Sequence, residues 1–233
     1  MDSSFTFGII TGGNEKERLR TIFKSIQDEN IPEFEIIVVG GEKYELCTDY
    51  IHIPFNENIR KMWITKKKNL ITTNATKANI VYMHDYVKLL PGWYEGWKFF
   101  FTENPEEWNQ IYMNQILNAD GTRYRDWVTW KDAPGLSDGL WNLPYEYDKL
   151  IPYMYISGAY WVAKRSMMLD APALDESRLW GQGEDVDWSK QVLPNPKYQY
   201  LCNAFSRVQL MKQKETVAKV FEGFVKIDPE EGE

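Results

Sequence analysis

FTFGIITGGNEKERLRTIFKSIQDENIPEFEIIVVGG, from Phe5 to Gly41, holds two apolar runs, each closed by a glycine pair. Phe5 to Thr11 is apolar without polar alternation and stops at Gly12-Gly13, the pattern of a strand buried on both faces. Leu19, Ile22, Phe23 and Ile26 then recur at three- and four-residue spacing, which predicts a helix over Glu15 to Gln27 with Asn14 as its N-cap. Phe34 to Val39 is a second buried strand, ending at Gly40-Gly41. Strand, helix and strand within forty residues make a right-handed crossover unit of a parallel sheet.

The same alternation continues downstream. Tyr50 to Ile53 reads as a short third strand, Trp63 to Thr76 as a helix, and Ile80 to Met83 as a strand running into His84-Asp85-Tyr86. Pro91 to Phe101 opens another helix with Pro in its first turn. Trp108 to Met113, Tyr153 to Val162 and Tyr198 to Cys202 read as strands, and Lys164 to Leu169 and Asp185 to Val192 as helices. Between Asn118 and Asp148 no period holds. Three glycines, two prolines and three tryptophans there predict long loops with a strand pair near Tyr124 to Trp130, and a loop region of that length is often functional. The expected architecture is one α/β domain over residues 1–212, a mostly parallel sheet flanked by helices. A weak helix over Glu215 to Val225 and an acidic tail follow in 213–233.

Composition narrows the function. A chain of 233 residues, 43% hydrophobic, is ample for a core, and its net charge of −7 does not suit a nucleic-acid backbone. No run of about 18 apolar residues offers a membrane span, and no basic-then-apolar leader is visible at the N-terminus. Cys47 and Cys202 lack metal-type spacing and read as free thiols of a reducing, cytoplasmic setting. With His52 and His84 as the only histidines, a multi-histidine metal site is not expected. Ten Trp and fourteen Tyr are many for this length. Such rings stack on sugars and bases, but each is read first as core.

Three segments could carry chemistry. Asp85 stands at the carboxyl end of a strand, where open α/β sheets collect ligands, though an Asp there also starts turns. WGQGEDVDW, Trp180 to Trp188, turns through two glycines and brings Glu184 and Asp185 to the first turn of a helix. Acidic residues favour that position through the helix dipole alone, but the flanking Trp180 and Trp188 would raise a carboxylate pKa and make a better base. Lys66-Lys67-Lys68-Asn69 could pair with a diphosphate, or be a solvated helix face.

Taken in order, the Gly12-Gly13 turn, KKNLITTNATKANIVYMHDYV, ISGAYWVAKRSMM and WGQGEDVDW resemble the GT-A glycosyltransferases, nearest to the family 2-like and galactosyltransferase-like inverting enzymes. The resemblance spans Phe5 to Cys202. It implies a Rossmann-like GT-A fold, a nucleotide-sugar donor (a UDP-sugar first) and a glycan or other hydroxyl acceptor. Thr11, Gly12, Gly13, Asn14, Lys68, Asn69, His84 and Asp85 would bind the donor, with Asp85 holding Mn2+ or Mg2+. Gly158, Trp130 and Trp180 would shape the acceptor side, Asp185 would be the general base, and Glu184 would bind acceptor hydroxyls. The sequence departs from the family at three places. Gly40-Gly41 stands where an acidic residue is usual, the metal motif is His84-Asp85-Tyr86, and no histidine follows the base.

A nucleoside diphosphate is therefore expected at the carboxyl ends of the first and fourth strands, near Thr11 and Asp85, with any metal weakly held. Rival readings are a nucleotide- or sugar-binding protein without turnover, an inverting glycosidase, which also needs paired carboxylates, and a methyltransferase using Thr11-Gly12-Gly13. The first crossover argues against the glycosidase, and WGQGEDVDW is idle in the methyltransferase.

Overall fold

The computed structural model describes residues 3–13, 15–105, 109–130, 133–145, 147–178, 181–212 and 218–220. Its strands are β1 (Phe5–Ile10), β2 (Phe34–Val39), β3 (Ile51–Ile53), β4 (Asn79–His84), β5 (Val87–Leu89), β6 (Gln110–Leu117), β7 (Val128–Thr129), β8 (Leu140–Asn142), β9 (Met154–Tyr155), β10 (Tyr160–Lys164), β11 (Gln199–Leu210) and β12 (Ala218–Val220). Its helices are α1 (Lys16–Asp28), α2 (Ile64–Asn74), α3 (Trp93–Glu103), α4 (Arg165–Asp170) and α5 (Glu184–Val192).

Eight strands form the central sheet in the order β3-β2-β1-β4-β10-β6-β11-β5. β3, β2, β1 and β4 are parallel, β10 runs antiparallel to β4 and β6, β11 follows β6, and β5 is antiparallel to β11. Every residue of β1 and β4 is buried, as an unbroken apolar run in an interior strand requires. The buried face of α1 is Leu19, Ile22, Phe23 and Ile26. α2 lies on β1 and β2 so closely that a Cβ on Gly8 would come within 2.2 Å of Ile71 Cγ2. α3 packs on β11 and carries Trp93 and Trp97 into an aromatic cluster with Phe5, Phe101 and Tyr112. Five of the eight described tryptophans are at most 2% exposed, so the abundant rings are mainly core.

The second half differs in detail from its expected elements. The strand expected over Tyr153 to Val162 is split: β9 joins a small sheet ordered β12-β8-β7-β9, and β10 joins the central one. Residues 156–159 turn between them, closed by Tyr160 N–H donating to the Ser157 carbonyl at 3.2 Å. β5 is too short for its period to show, and β11 runs eight residues past Cys202, with a shift of register between Asn203 and Arg207 that breaks the alternation. The helix expected over Glu215 to Val225 is corrected where it is described: Ala218–Val220 pairs parallel with β8, so tertiary pairing overrides a weak period. Asn14, Trp108, Trp180 and the acidic tail lie outside the described residues.

Candidate active site

The carboxyl ends of β1 and β4 lie side by side, Ile10 opposite His84, because the two strands pair in parallel register. The chain leaves β1 through Thr11, whose N–H donates to the Val39 carbonyl at 3.1 Å. It leaves β4 through Asp85, whose N–H donates to the Ile10 carbonyl at 3.1 Å. Thr11 and Gly12 also donate to the Asp85 carboxylate, which burial nevertheless pushes above its usual pKa. A cavity of about 420 Å³ opens here, walled by Thr11, Gly12, Asp85, Glu57 and Lys67.

The lysine run is not a solvated face. Lys67 and Lys68 are buried, at 3% and 1% exposure. Lys67 pairs with Glu57 and donates to the Thr11 carbonyl at 2.7 Å, which fixes one wall of that cavity. Lys68 crosses beneath the site and donates to the Gly158 carbonyl at 2.8 Å. Burial lowers its pKa, while Glu184 and then Asp185 act in the opposite sense. Lys68 lines neither of the cavities described here. Asn69 turns the other way and exchanges two hydrogen bonds with the Leu174 backbone. These two expected donor residues thus bond to the turn before β10 and to the loop before α5.

α5 starts at Gly183, whose φ of 72° supplies the left-handed turn that a side chain would resist. That turn delivers Glu184 and Asp185 to a second cavity, of about 320 Å³, lined also by Tyr124, Arg125, Tyr155, Ser157 and Gly158. Asp185 Oδ2 accepts from Gly158 N–H at 3.0 Å and Oδ1 from Val186 N–H at 2.9 Å. A Cβ on Gly158 would lie 2.8 Å from that Oδ2, so the approach of loop to carboxylate needs glycine. Ser189 locks the pair of elements, donating to the Asp185 carbonyl at 2.6 Å and accepting from Ile156 N–H at 3.0 Å. Glu184 is buried; desolvation, then the adjacent Asp185, raises its pKa.

The two cavities adjoin and share His84, Tyr86 and Lys212. His84 is buried against Lys68 and Lys212, and desolvation holds its pKa well below the ordinary value, so the ring is neutral. Thr11, Gly12, His84 and Asp85 are thus together on one side, and Gly158, Glu184 and Asp185 on the other. Trp130 is elsewhere: its ring lies 4.1 Å beneath the Lys190 ammonium, and it does not line the cavity of Glu184 and Asp185. Trp188 is core, 5.3 Å from Trp161, and makes no wall for Asp185. Sequence reasoning passed over Lys212, Arg125, Tyr124 and Tyr155. Arg125 follows no period, and Lys212 lies two residues past β11, a strand of mixed residues that sends no clear signal to its end.

For a divalent ion the fit is poor. Asp85 is the one carboxylate at its strand end, and Glu57 is taken up by Lys67. Among the described residues no three of His, Cys, Asp and Glu gather where they could hold a metal. Hard cations want about six or more oxygens, so any Mn2+ or Mg2+ would draw most of them from phosphate and water. Among the described residues, Asp85 is therefore not joined by the further ligands that the expected metal site would need.

A mostly parallel sheet with a ligand cavity at the carboxyl ends of β1 and β4, and acidic residues on a facing helix, defines a protein of the GT-A fold. Solved structures agree. The chain is similar to Staphylococcus aureus TarS residues 1–349 (TM-score 0.58, 11% identity, 89% of this chain and 60% of that one). It is also similar to a structure of S. aureus TarS (0.61, 12%, 90% and 37%). A third is GalNAc-T7 with UDP, GalNAc and Mn2+ (0.56, 12%, 94% and 45%). The chain spans 60% or less of each of these. No family model and no curated protein sequence matches it. Among the described residues no helix is long and apolar enough to cross a membrane.

Proposed function

We propose that this chain is an inverting, hexosyltransferase-like glycosyltransferase that moves a sugar from a nucleotide-diphosphate sugar, a UDP-sugar first, to an acceptor hydroxyl. The observation that carries this reading is the pair of adjoining cavities. One is walled by the strand-end residues Thr11, Gly12 and Asp85 with Glu57 and Lys67, the other by Glu184 and Asp185, and a transferred carbon would sit where they meet. The nucleotide and diphosphate occupy the Thr11–Asp85 side, at the strand ends where α/β sheets hold such ligands. The acceptor occupies the other. Asp185, held by two backbone N–H groups, takes the hydroxyl proton as the oxygen attacks. Glu184 orients the acceptor. Holding both substrates in line supplies much of the rate.

Asp185→Asn tests it. An amide has one oxygen for the two N–H groups of Gly158 and Val186, so about 1 kcal/mol of stability should go. Loss of the base should slow transfer by about two to four orders of magnitude. Sugar transfer from a panel of nucleotide sugars is followed together with the melting temperature, and the anomeric configuration of the product is read by NMR. A variant that transfers at the wild-type rate leaves Asp185 with only its helix-dipole role, about 0.3–1 kcal/mol. Retained configuration ends the inverting assignment. Wild-type protein that binds nucleotide and never transfers is the binding protein instead.

A further inference from the structure

We infer that Lys212 supplies the positive charge that holds the donor's diphosphate and receives the leaving group, in the place where the described residues gather no set of metal ligands. The inference rests on the transferase reading and adds to it the group that neutralises the departing phosphate.

Three observations converge. Lys212 is the only cationic side chain, among the described residues, that lines both cavities: Lys67 borders only the donor side and Arg125 only the acceptor side. Its place is set by backbone, not by a floppy loop. β11 runs antiparallel to β5 with Leu210 opposite Val87, and Met211 N–H donates to the Tyr86 carbonyl at 2.7 Å. One residue further, the chain arrives beside the His84-Asp85-Tyr86 turn. The Lys212 ammonium sits 4.4 Å from the centre of the Tyr86 ring, so its stem is held while its head faces the junction. Third, among the described residues no three of His, Cys, Asp and Glu gather around Asp85 to hold a cation, so a diphosphate there needs its counter-charge from another group.

The chemistry needs a charge at that point. In the transfer the acceptor oxygen forms a bond to the anomeric carbon, and the bond from that carbon to the β-phosphate oxygen breaks with its electron pair. The acceptor proton goes to the Asp185 carboxylate. The new charge on the phosphate oxygen develops between the donor and acceptor cavities. A fixed ammonium there stabilises it by charge-assisted hydrogen bonding and keeps its own proton.

Calorimetry on the whole chain tests the assignment, with UDP, GDP and UMP as probes, in EDTA and again in manganese. Wild type should bind a nucleoside diphosphate in EDTA within a few-fold of its affinity in manganese. Lys212→Met, which keeps the stem over Tyr86, should weaken that binding by about tenfold to a hundredfold, the scale of one hydrogen bond to a charged group. UMP, lacking the β-phosphate, should lose much less, and Lys212→Arg should regain most of the affinity. Diphosphate binding that appears only with manganese overturns the inference and leaves the transferase reading standing. So does a Lys212→Met protein that binds UDP or GDP in EDTA as wild type does. Lys212→Arg as weak as Lys212→Met assigns the loss to packing and also overturns it. No binding of either diphosphate under any condition removes the transferase reading and the inference together.

Discussion

The stretch from Phe5 to His84 and the stretch from Gln110 to Lys212 build the two sides of the site by different means. The first lays down β3-β2-β1-β4 as neighbouring parallel strands joined by short-range connections, and it walls its cavity with Thr11, Gly12, Glu57, Lys67 and Asp85. The second threads β10, β6 and β11 past one another from distant parts of the chain. It supplies Arg125, Glu184, Asp185 and Lys212, the charged groups of the acceptor-side cavity. The two meet at Gly158. Its carbonyl accepts from Lys68 and His84 of the first stretch, and its N–H donates to Asp185 of the second. The regular half thus acts as a frame and the irregular half as the changeable part, the division expected of loops on a scaffold. Damage to the first should be read in stability, and damage to the second in turnover.

Lys68 joins the halves and should give the largest effect. Lys68→Met removes the buried cation facing Glu184 and Asp185 and one of the donors to Gly158. Breaking a fully buried pair costs about 3–5 kcal/mol. The two carboxylates border an open cavity, so about 3 kcal/mol is expected, or roughly 6–12 °C in melting temperature. A purely structural lysine would show no more than that. If Lys68 also sets the electrostatics, the carboxyl carbon of Glu184 should titrate at higher pH in the variant by NMR, because the cation that favours its charged form is gone. An unchanged melting temperature would mean that the halves are not coupled through this residue.

A paired glycine experiment separates frame from site at smaller cost. Gly8→Ala drives a methyl to within 2.2 Å of Ile71 Cγ2, at the β1–α2 contact and away from both cavities. Overpacking of this kind costs about 1–3 kcal/mol, and donor binding and turnover should survive below the lowered melting temperature. Gly158→Ala places its methyl 2.8 Å from Asp185 Oδ2 and must push the carboxylate aside. A displacement of about 1 Å at a reacting group costs on the order of a hundredfold in rate. Turnover should fall by that order while nucleoside diphosphate affinity, measured by calorimetry, stays close to wild type. Equal loss of turnover in the two variants would erase the distinction between the halves.

The same division governs what could be read from sequence. β1, α1, β2 and β4 were legible because a buried parallel strand is an unbroken apolar run and α1 has a single apolar stripe. Asp85 and the Glu184-Asp185 turn were legible because both follow a strong punctuation mark, a strand end and a glycine turn. β7 and β9 are two residues each, too short for any period, and their pairing depends on partners far away in the chain. The partners of Lys68 and Asn69 were not legible, because sequence shows charge and amide but not direction: burial turns them to Gly158 and Leu174. Trp188 likewise shows that proximity in sequence does not fix contact: its ring packs on Trp161 in the core and does not line the cavity of Asp185.

The smallest effect concerns pH and the burial of Glu184 within the second half. Its folded pKa is raised above the reference 4.5, first by desolvation and then by Asp185. A raised carboxyl pKa means that the folded chain holds the proton more tightly than the unfolded one. The stability linked to that proton is full below the unfolded pKa and is lost as pH rises through the folded one. Glu184→Gln cannot ionise and loses nothing over that range. The difference in melting temperature, variant minus wild type, should therefore be near zero at pH 4 and grow positive toward pH 8. Because Glu184 borders solvent in the cavity, the gain should be only about 1–2 °C, the scale of half a kcal/mol in a domain of this size. A melting series at fixed ionic strength reads it directly. A difference that stays flat with pH would show Glu184 to be solvated like a surface carboxylate, and a difference that turns negative would show its charged form held by Lys68 more strongly than burial opposes it.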